Sequence, residues 1–141
     1  MISYRNVSKR FSTDGTPAVD SVSVEVAEGE ALVILGSSGS GKSTLLKMTN
    51  RLLEMTSGNI LLDGEDISKC DCISLCRKIG CVFQGVGLFP HYSVWDNVGI
   101  VSRLKGENAT VRNQRVKELL ELVGLPAGEY AERFPNELSG G

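Results

Sequence analysis

A stretch rich in glycine and serine at residues 36–43 constrains this chain more than any other part of its sequence. It reads GSSGSGKS and fits the pattern G-x-x-x-x-G-K-[ST]. A continuous apolar run, ALVIL at residues 31–35, leads into it, and apolar residues recur at helical spacing over residues 42–53 behind it. An apolar run without alternation favours a strand covered on both faces, as in a parallel sheet. The order strand, glycine loop, helix therefore predicts an α/β domain.

Such a loop is suited to hold a phosphate group. Its glycines let backbone N–H groups surround an anion, and the start of the next helix adds unpaired amides. Lys42 is expected to place its ammonium beside the β- and γ-phosphates of a nucleotide, and Ser43 to ligate Mg²⁺. The alternative is a serine-glycine turn that contains a lysine by chance, and the flanking strand and helix disfavour it. The predicted nucleotide-binding residues are Gly36, Ser37, Ser38, Gly39, Ser40, Gly41, Lys42, Ser43 and Thr44.

Composition limits the classes of protein to which the chain can belong. Its 141 residues, 41% hydrophobic and 23% charged, are typical of one compact globular domain. Fifteen Lys and Arg against seventeen Asp and Glu give a net charge of −2, which argues against a nucleic-acid partner. No apolar stretch approaches the roughly 18–20 residues of a membrane span, and no secretory signal opens the chain. A cytoplasmic location is expected.

Periodicity predicts the other elements. Alternation over residues 22–26 predicts a strand that pairs with residues 2–7, and residues 59–62 and 79–83 are further strand candidates. Helices are predicted at residues 94–104, 110–123 and 126–133. The second is expected to be capped by Thr110 and ended by Gly124. Its predicted apolar face consists of Val111, Val116, Leu119, Leu120 and Val123.

Three further segments carry a family resemblance. Leu138-Ser139-Gly140-Gly141 matches the first four residues of the ABC signature, Val82-Phe83-Gln84 matches the Q-loop, and residues 6–11 resemble the family's opening strand. With the phosphate loop, the chain from Ile2 to Gly141 resembles the ATP-binding subunit of an ABC transporter. The resemblance implies a nucleotide-binding domain of the P-loop NTPase type. It places a β-subdomain and the start of the RecA-like core at about residues 1–87, and a helical subdomain at about 88–141.

The same resemblance implies roles for individual residues. Gln84 would sense Mg²⁺ and the γ-phosphate, and the ring of Phe11 would stack on adenine. Ser139, Gly140 and Gly141 would bind the ATP held by a second, identical subunit. A transmembrane permease would be the other partner, on the inner face of the plasma membrane. The alternative for Phe11 is plain core packing, and no chemistry is assigned to His91, which would lie near the membrane partner.

Two segments narrow the resemblance to one kind of importer. Residues 48–53 running into 56–58, and residues 87–91, are similar to the importers for glycine betaine, choline and related quaternary amines. Importers for polar amino acids share close variants of both segments, so they remain an alternative. In this family the ATPase subunit does not touch the transported solute.

Several parts of a complete ABC ATPase are not found in this sequence. The Walker B aspartate and glutamate and the switch histidine are missing, because the chain stops at Gly141 within the signature. We expect that residues 31–35 lack their neighbouring strand and that the chain as written binds nucleotide weakly and hydrolyses it at no useful rate. A non-catalytic fragment is therefore an alternative to the importer ATPase. A soluble ABC protein acting on nucleic acid is disfavoured, because a second cassette and basic segments are absent.

Four cysteines lie close together in the sequence, at Cys70, Cys72, Cys76 and Cys81. Their spacing, C-x-C-x₃-C-x₄-C, does not match the paired C-x₂₋₄-C of structural zinc sites. Reduced thiols without zinc or iron are the expectation for a cytoplasmic protein.

Overall fold

A computed structural model describes residues 1–82, 85 and 87–139 of the chain. Its contacts divide the chain into two compact units, Met1–Gly80 and Cys81–Gly141. Of the predicted site residues, Gln84, Gly140 and Gly141 lie outside the described residues. None of the helices within these ranges combines the length and apolarity that crossing a membrane requires.

The first unit is built on a four-stranded antiparallel sheet in the order β2-β1-β3-β4. The strands are β1 (Ile2–Lys9), β2 (Val19–Val26), β3 (Ser57–Leu62) and β4 (Glu65–Asp66). β1 is central, and its Tyr4 pairs with Val24 on one side and Ile60 on the other. β3 and β4 form a hairpin whose turn, Asp63 and Gly64, takes positive φ at both positions. The strands predicted at residues 2–7, 22–26 and 59–62 are confirmed.

One helix covers this sheet next to the phosphate loop. α1 (Lys42–Thr49) buries Leu45 and Met48, which join Tyr4, Val7 and Ile60 in the core of the first unit. The prediction that the helix continues to residue 53 was wrong, because Arg51 turns into the left-handed region at φ 55° and the ladder of hydrogen bonds ends. Leu52 is accordingly 55% exposed.

Two predicted strands are not formed in the described residues. Residues 31–35 pair with no strand within the described ranges, and Val33 and Leu35 are 75% and 87% exposed. All pairs in the observed sheet are antiparallel, so the parallel pairing predicted around this run is not seen there. An apolar run becomes a strand only when another strand satisfies its backbone, and no strand of the observed sheet pairs with this run. Likewise residues 79–82 form no strand, since Ile79 ends a helix that the sequence did not predict, α2 (Cys72–Lys78).

The second unit consists of helices. α3 (Val94–Leu104) has the predicted bounds, and α4 (Ala109–Leu122) and α5 (Ala127–Tyr130) follow. The predicted cap was wrong: Asn108, not Thr110, accepts the hydrogen bond from the Val111 amide at 2.9 Å. The α3–α4 crossing is close at Gly99, where a Cβ would lie 3.2 Å from the Val116 side chain.

Only part of the predicted apolar face of α4 is buried. Val116 and Leu120 form the core of the second unit with Val94 of α3, whereas Val111 and Val123 are 52% and 65% exposed. Gly124 ends the helix at φ 72°, as predicted.

Candidate functional site

The phosphate loop lies between the apolar run 31–35 and the start of α1. Gly41 precedes α1 in a left-handed conformation, φ 86°. A Cβ on Gly41 would collide with the carbonyl oxygen of Ala18 at the start of β2. Gly39 also has a positive φ, 82°, but the space around it is open. Glycine is therefore required twice over at residue 41, by its backbone angle and by its contact with the sheet.

The ammonium of Lys42 lies across this loop. Its Nζ atom donates to the carbonyl oxygens of Gly36 at 2.9 Å and Ser37 at 2.6 Å, and to the Ser40 hydroxyl at 3.2 Å. These three acceptors hold the positive charge inside the loop. A phosphate group entering the loop would take over as the partner of this ammonium.

The N-terminus of α1 adds to the positive potential of the loop. Within the described residues, no side chain caps this N-terminus, and the first turn of α1 contains no acidic residue. The first helical hydrogen bond runs from Leu45 N–H to Gly41 C=O at 2.9 Å. Residues 42–44 therefore precede the hydrogen-bond ladder, and their N–H groups are available to an anion. Ser43 is exposed there, as a magnesium ligand would need to be.

Phe11 lies in the loop that connects β1 to β2. Its ring is 69% exposed, and the Lys9 ammonium lies 5.4 Å from its centroid. Core packing, the alternative interpretation of this residue, is therefore wrong. Ala18 N–H donates to the Lys9 carbonyl at 2.8 Å and closes the loop at its base. Because Gly41 packs on Ala18, the base of this loop adjoins the phosphate loop.

An apolar cavity that the sequence did not reveal adjoins the phosphate loop. It measures about 430 Å³ and is lined by β2, by residues 32–35 and by Ser40, Gly41, Lys42 and Leu45. Periodicity could not predict it, because its walls come from segments that are separated in the sequence.

The second unit positions the residues that lead to the predicted signature. Leu138 packs against the core formed by Val94, Val116 and Leu120. The Glu137 carboxylate accepts from the Phe134 amide at 2.7 Å and fixes the short 3-10 turn Pro135–Glu137. Ser139 follows directly and is exposed.

One organising residue in this unit was missed at the sequence level. The side chain of Asn97, only 8% exposed, holds the turn at residues 89–93. Its Oδ1 accepts from Phe89 N–H at 2.7 Å, and its Nδ2 lies 3.0 Å from the carbonyl oxygens of Phe89, Tyr92 and Ser93. This turn presents His91, whose ring packs 4.5 Å from that of Tyr92. An asparagine on the apolar side of a helix was the only available signal.

The cysteines form no conventional metal centre in the described residues. All four thiols are free, and no group of three or more His, Cys, Asp or Glu side chains converges there. Cys70 is partly buried and donates to the Asp66 carbonyl at 3.6 Å, whereas the other three are exposed.

Together, the loop, the lysine and the uncapped helix define a phosphate-binding α/β domain. The chain belongs to the ABC transporter family, whose family model, described as ABC transporter, matches residues 19–141. It is 44% identical over its whole length to the osmoprotectant import ATP-binding protein OsmV of Salmonella typhimurium and to the choline transport ATP-binding protein OpuBA of Bacillus subtilis. It is 42% identical to the glutamine transport ATP-binding protein GlnQ of Escherichia coli, again over its whole length.

The chain spans only part of these relatives: 38% of OsmV, 36% of OpuBA and 58% of GlnQ. A solved structure gives the same picture of the fold. The dimeric post-hydrolysis state of the ATP-binding cassette MJ0796, bound to ADP and Pi, superposes with a TM-score of 0.83 at 31% identity. That comparison covers 99% of this chain and 64% of MJ0796. The predicted fold class, an ABC cassette of mixed α and β structure, is confirmed.

Proposed function

We propose that this chain is the nucleotide-binding part of an ABC importer ATPase, which couples ATP binding and hydrolysis to solute uptake. The observation that carries the proposal is the Lys42 ammonium, held by three acceptors inside a glycine loop at an uncapped helix start. On ATP binding, phosphate oxygens would replace these acceptors as the partners of the Lys42 ammonium. Phosphate oxygens are stronger partners because they carry negative charge.

The remaining residues of the proposed ATP site extend from this loop. Backbone N–H groups of residues 36–44 would hold the phosphates, and the exposed ring of Phe11 would stack on adenine. Mg²⁺ keeps several waters and needs few protein ligands, so one exposed hydroxyl, that of Ser43, fits it together with phosphate oxygens. When bound, Mg²⁺ would offset the charge that develops on the phosphates. Gln84 is proposed as its second protein contact.

Membership of the family supports a proposal for the partners and the location. We propose a homodimer with ATP at the interface, in which Ser139, Gly140 and Gly141 of one subunit face the ATP of the other. A transmembrane permease would hold the pair at the inner face of the plasma membrane. Within each subunit, residues 1–87 would be the β and core part and residues 88–141 the helical part.

A quaternary amine osmoprotectant is the proposed solute. The support is the 44% identity to the osmoprotectant and choline proteins over the whole chain. The polar amino acid alternative is supported by the 42% identity to the glutamine protein. Uptake of labelled glycine betaine and of labelled glutamine, in cells with and without the gene that encodes this chain, distinguishes the two. Loss of glutamine uptake alone would refute the osmoprotectant proposal.

ATP binding is tested by replacing the lysine. Lys42→Ala removes a charge-assisted contact, which contributes about 1.5–3 kcal/mol, so affinity for Mg·ATP should fall about tenfold or more. The matched control is Lys47→Ala, an exposed lysine further along α1, which should leave affinity unchanged. Calorimetric titration measures both, and equal affinities would refute the site. Phosphate release in the same samples separates an ATPase, which turns over and depends on Lys42, from a non-catalytic fragment, which binds without turnover.

A further inference from the structure

The loop between β1 and β2, which carries Phe11, is held by hydrogen bonds within itself and to the chain beyond α1. The Arg10 guanidinium donates to the Gly15 carbonyl at 2.9 Å, across the loop. The Arg10 amide donates to the Thr56 hydroxyl at 3.0 Å, and the Thr56 amide donates to the Ser8 carbonyl at 2.8 Å. The backbone beside Phe11 is therefore fixed by contacts of the fold itself.

Lys9, the last residue of β1, contacts both the Phe11 ring and the segment that follows α1. Its ammonium donates to the Glu54 carbonyl at 2.6 Å and lies over the Phe11 ring, 5.4 Å from the centroid. A cation within about 6 Å of a ring centroid is attracted to the face of the ring, which carries the negative part of the quadrupole. Because Glu54 fixes the cation, the cation in turn fixes the orientation of the ring. Phe11 is 69% exposed, so its opposite face remains open to a planar group.

A ring that is held in one orientation is suited to stack on a nucleotide base. Stacking requires a definite arrangement of the two planes, so a freely rotating ring loses conformational freedom when the base binds, and this loss weakens binding. The contact with Lys9 lowers that cost, because the ring is already oriented. Every base has a π face, so the contact should strengthen binding of the base without selecting one base over another.

We propose that Lys9 is a positioning residue of the nucleotide site, which orients Phe11 for the base and contacts neither the base nor the phosphates itself. This inference rests on the proposed ATP site, in which Phe11 stacks on adenine. It has two consequences that a general structural role would not have. Lys9 should affect affinity only for ligands that contain a base, and only while the Phe11 ring is present.

Inorganic tripolyphosphate separates positioning from direct contact, because it has the phosphate chain of ATP but no base. Lys9→Met removes the ammonium and keeps an unbranched apolar stem, and circular dichroism checks that the variant folds as the parent does. Lys47→Met, which removes an exposed ammonium of α1, is the matched control for the change in charge. Phe11→Leu provides a background in which Lys9 has no ring to orient, so the two substitutions form a double-mutant cycle.

Calorimetric titration with Mg·ATP and with magnesium tripolyphosphate measures the two affinities. Lys9→Met should weaken Mg·ATP binding about three- to tenfold, as expected when one side chain must be ordered on binding, and should leave tripolyphosphate binding unchanged. Lys47→Met should bind both ligands as the parent does, and in the Phe11→Leu background Lys9→Met should have no further effect.

Four results would each overturn the proposal. They are an unchanged affinity of Lys9→Met for Mg·ATP, a loss of affinity for both ligands, an equal loss in Lys47→Met, and an equal loss in the Phe11→Leu background. Failure of the ATP site itself gives a different result, because Lys42→Ala would then bind Mg·ATP as the parent does. That result would overturn this proposal together with the proposed function.

Discussion

The amide of Asn97 offers a quantitative test of how the second unit is held together. Its oxygen accepts from the Phe89 N–H, and its nitrogen lies at 3.0 Å from three carbonyl oxygens of the turn at residues 89–93. The nitrogen has only two N–H groups for these three carbonyls, so the donated bonds are shared. One accepted and two donated bonds are therefore lost in Asn97→Ala.

The magnitude follows from these bonds. Each contributes about 1 kcal/mol net, so their sum is about 3 kcal/mol. Part of that loss is recovered, because the freed carbonyls of an exposed turn can bind water. We expect Asn97→Ala to lower the free energy of unfolding of this unit by about 2–3 kcal/mol, well above the effect of an ordinary surface substitution.

The isosteric variant Asn97→Asp adds a dependence on pH. Its carboxylate keeps the bond from Phe89 N–H but turns its second oxygen towards carbonyl oxygens. The folded state therefore raises the pKa of the introduced carboxyl above about 3.9, its unfolded value. The folded variant then binds more protons than the unfolded one at intermediate pH. Its stability should rise as the pH falls from 7 towards the raised pKa, whereas that of Asn97→Ala should not share this rise.

Trp95, the single tryptophan of the chain, makes these effects measurable. It lies on α3 and packs against the core of the second unit, so its fluorescence during urea unfolding reports on this unit. Asn113→Asp, at an exposed position of α4, is the matched control and should change stability by less than about 0.5 kcal/mol. The reasoning fails if Asn97→Ala is as stable as the parent, or if Asn97→Asp does not gain stability relative to Asn113→Asp on acidification.

Three further predictions concern the first unit. Gly41→Ala should destabilise the first unit more than Gly39→Ala does. Both substitutions place a side chain on a left-handed backbone, which costs about 1–2 kcal/mol, but only the Cβ at residue 41 also collides with the Ala18 carbonyl oxygen. Thermal unfolding of the two variants measures the difference. Tyr4→Phe removes the buried phenol–hydroxyl hydrogen bond of 2.7 Å to α1 and should cost about 1 kcal/mol in urea unfolding, with no loss expected if that bond is not formed. Burial and the neighbouring Cys72 raise the pKa of the Cys76 thiol, so Cys72→Ser should lower the pH midpoint of Cys76 alkylation by iodoacetamide. An unchanged or higher midpoint would contradict this influence of Cys72.

Local sequence patterns predicted the elements that are decided locally. Alternation predicted β2, β1 was predicted as its partner, and the turn pair Asp63-Gly64 marked the end of β3. The helical period predicted α3 with its observed bounds. In each case, contiguous residues supply both the apolar face and the turn or cap. α2 was not predicted, because it buries only Leu75 and is too short to show a period.

Local patterns also could not locate the ends of two helices. Both Asn108 and Thr110 are residues that can cap α4, and the sequence does not show which of them adopts the extended backbone that a cap requires. The end of α1 depended on Arg51, whose guanidinium reaches the carbonyls of Ile67 and Cys70, far along the chain.

The sequence by itself determined the phosphate loop, because its glycines, its lysine and the apolar residues on both sides are contiguous and do not depend on distant contacts. The tertiary structure alone decided that Lys42 is held by the loop's own acceptors and that Gly41 must remain glycine against Ala18. It also decided that residues 31–35, with every apolar residue that a buried strand needs, remain unpaired in the described fold. The physical reason is that a strand is completed by the hydrogen bonds of its neighbour, and a residue pattern cannot specify whether that neighbour is in place.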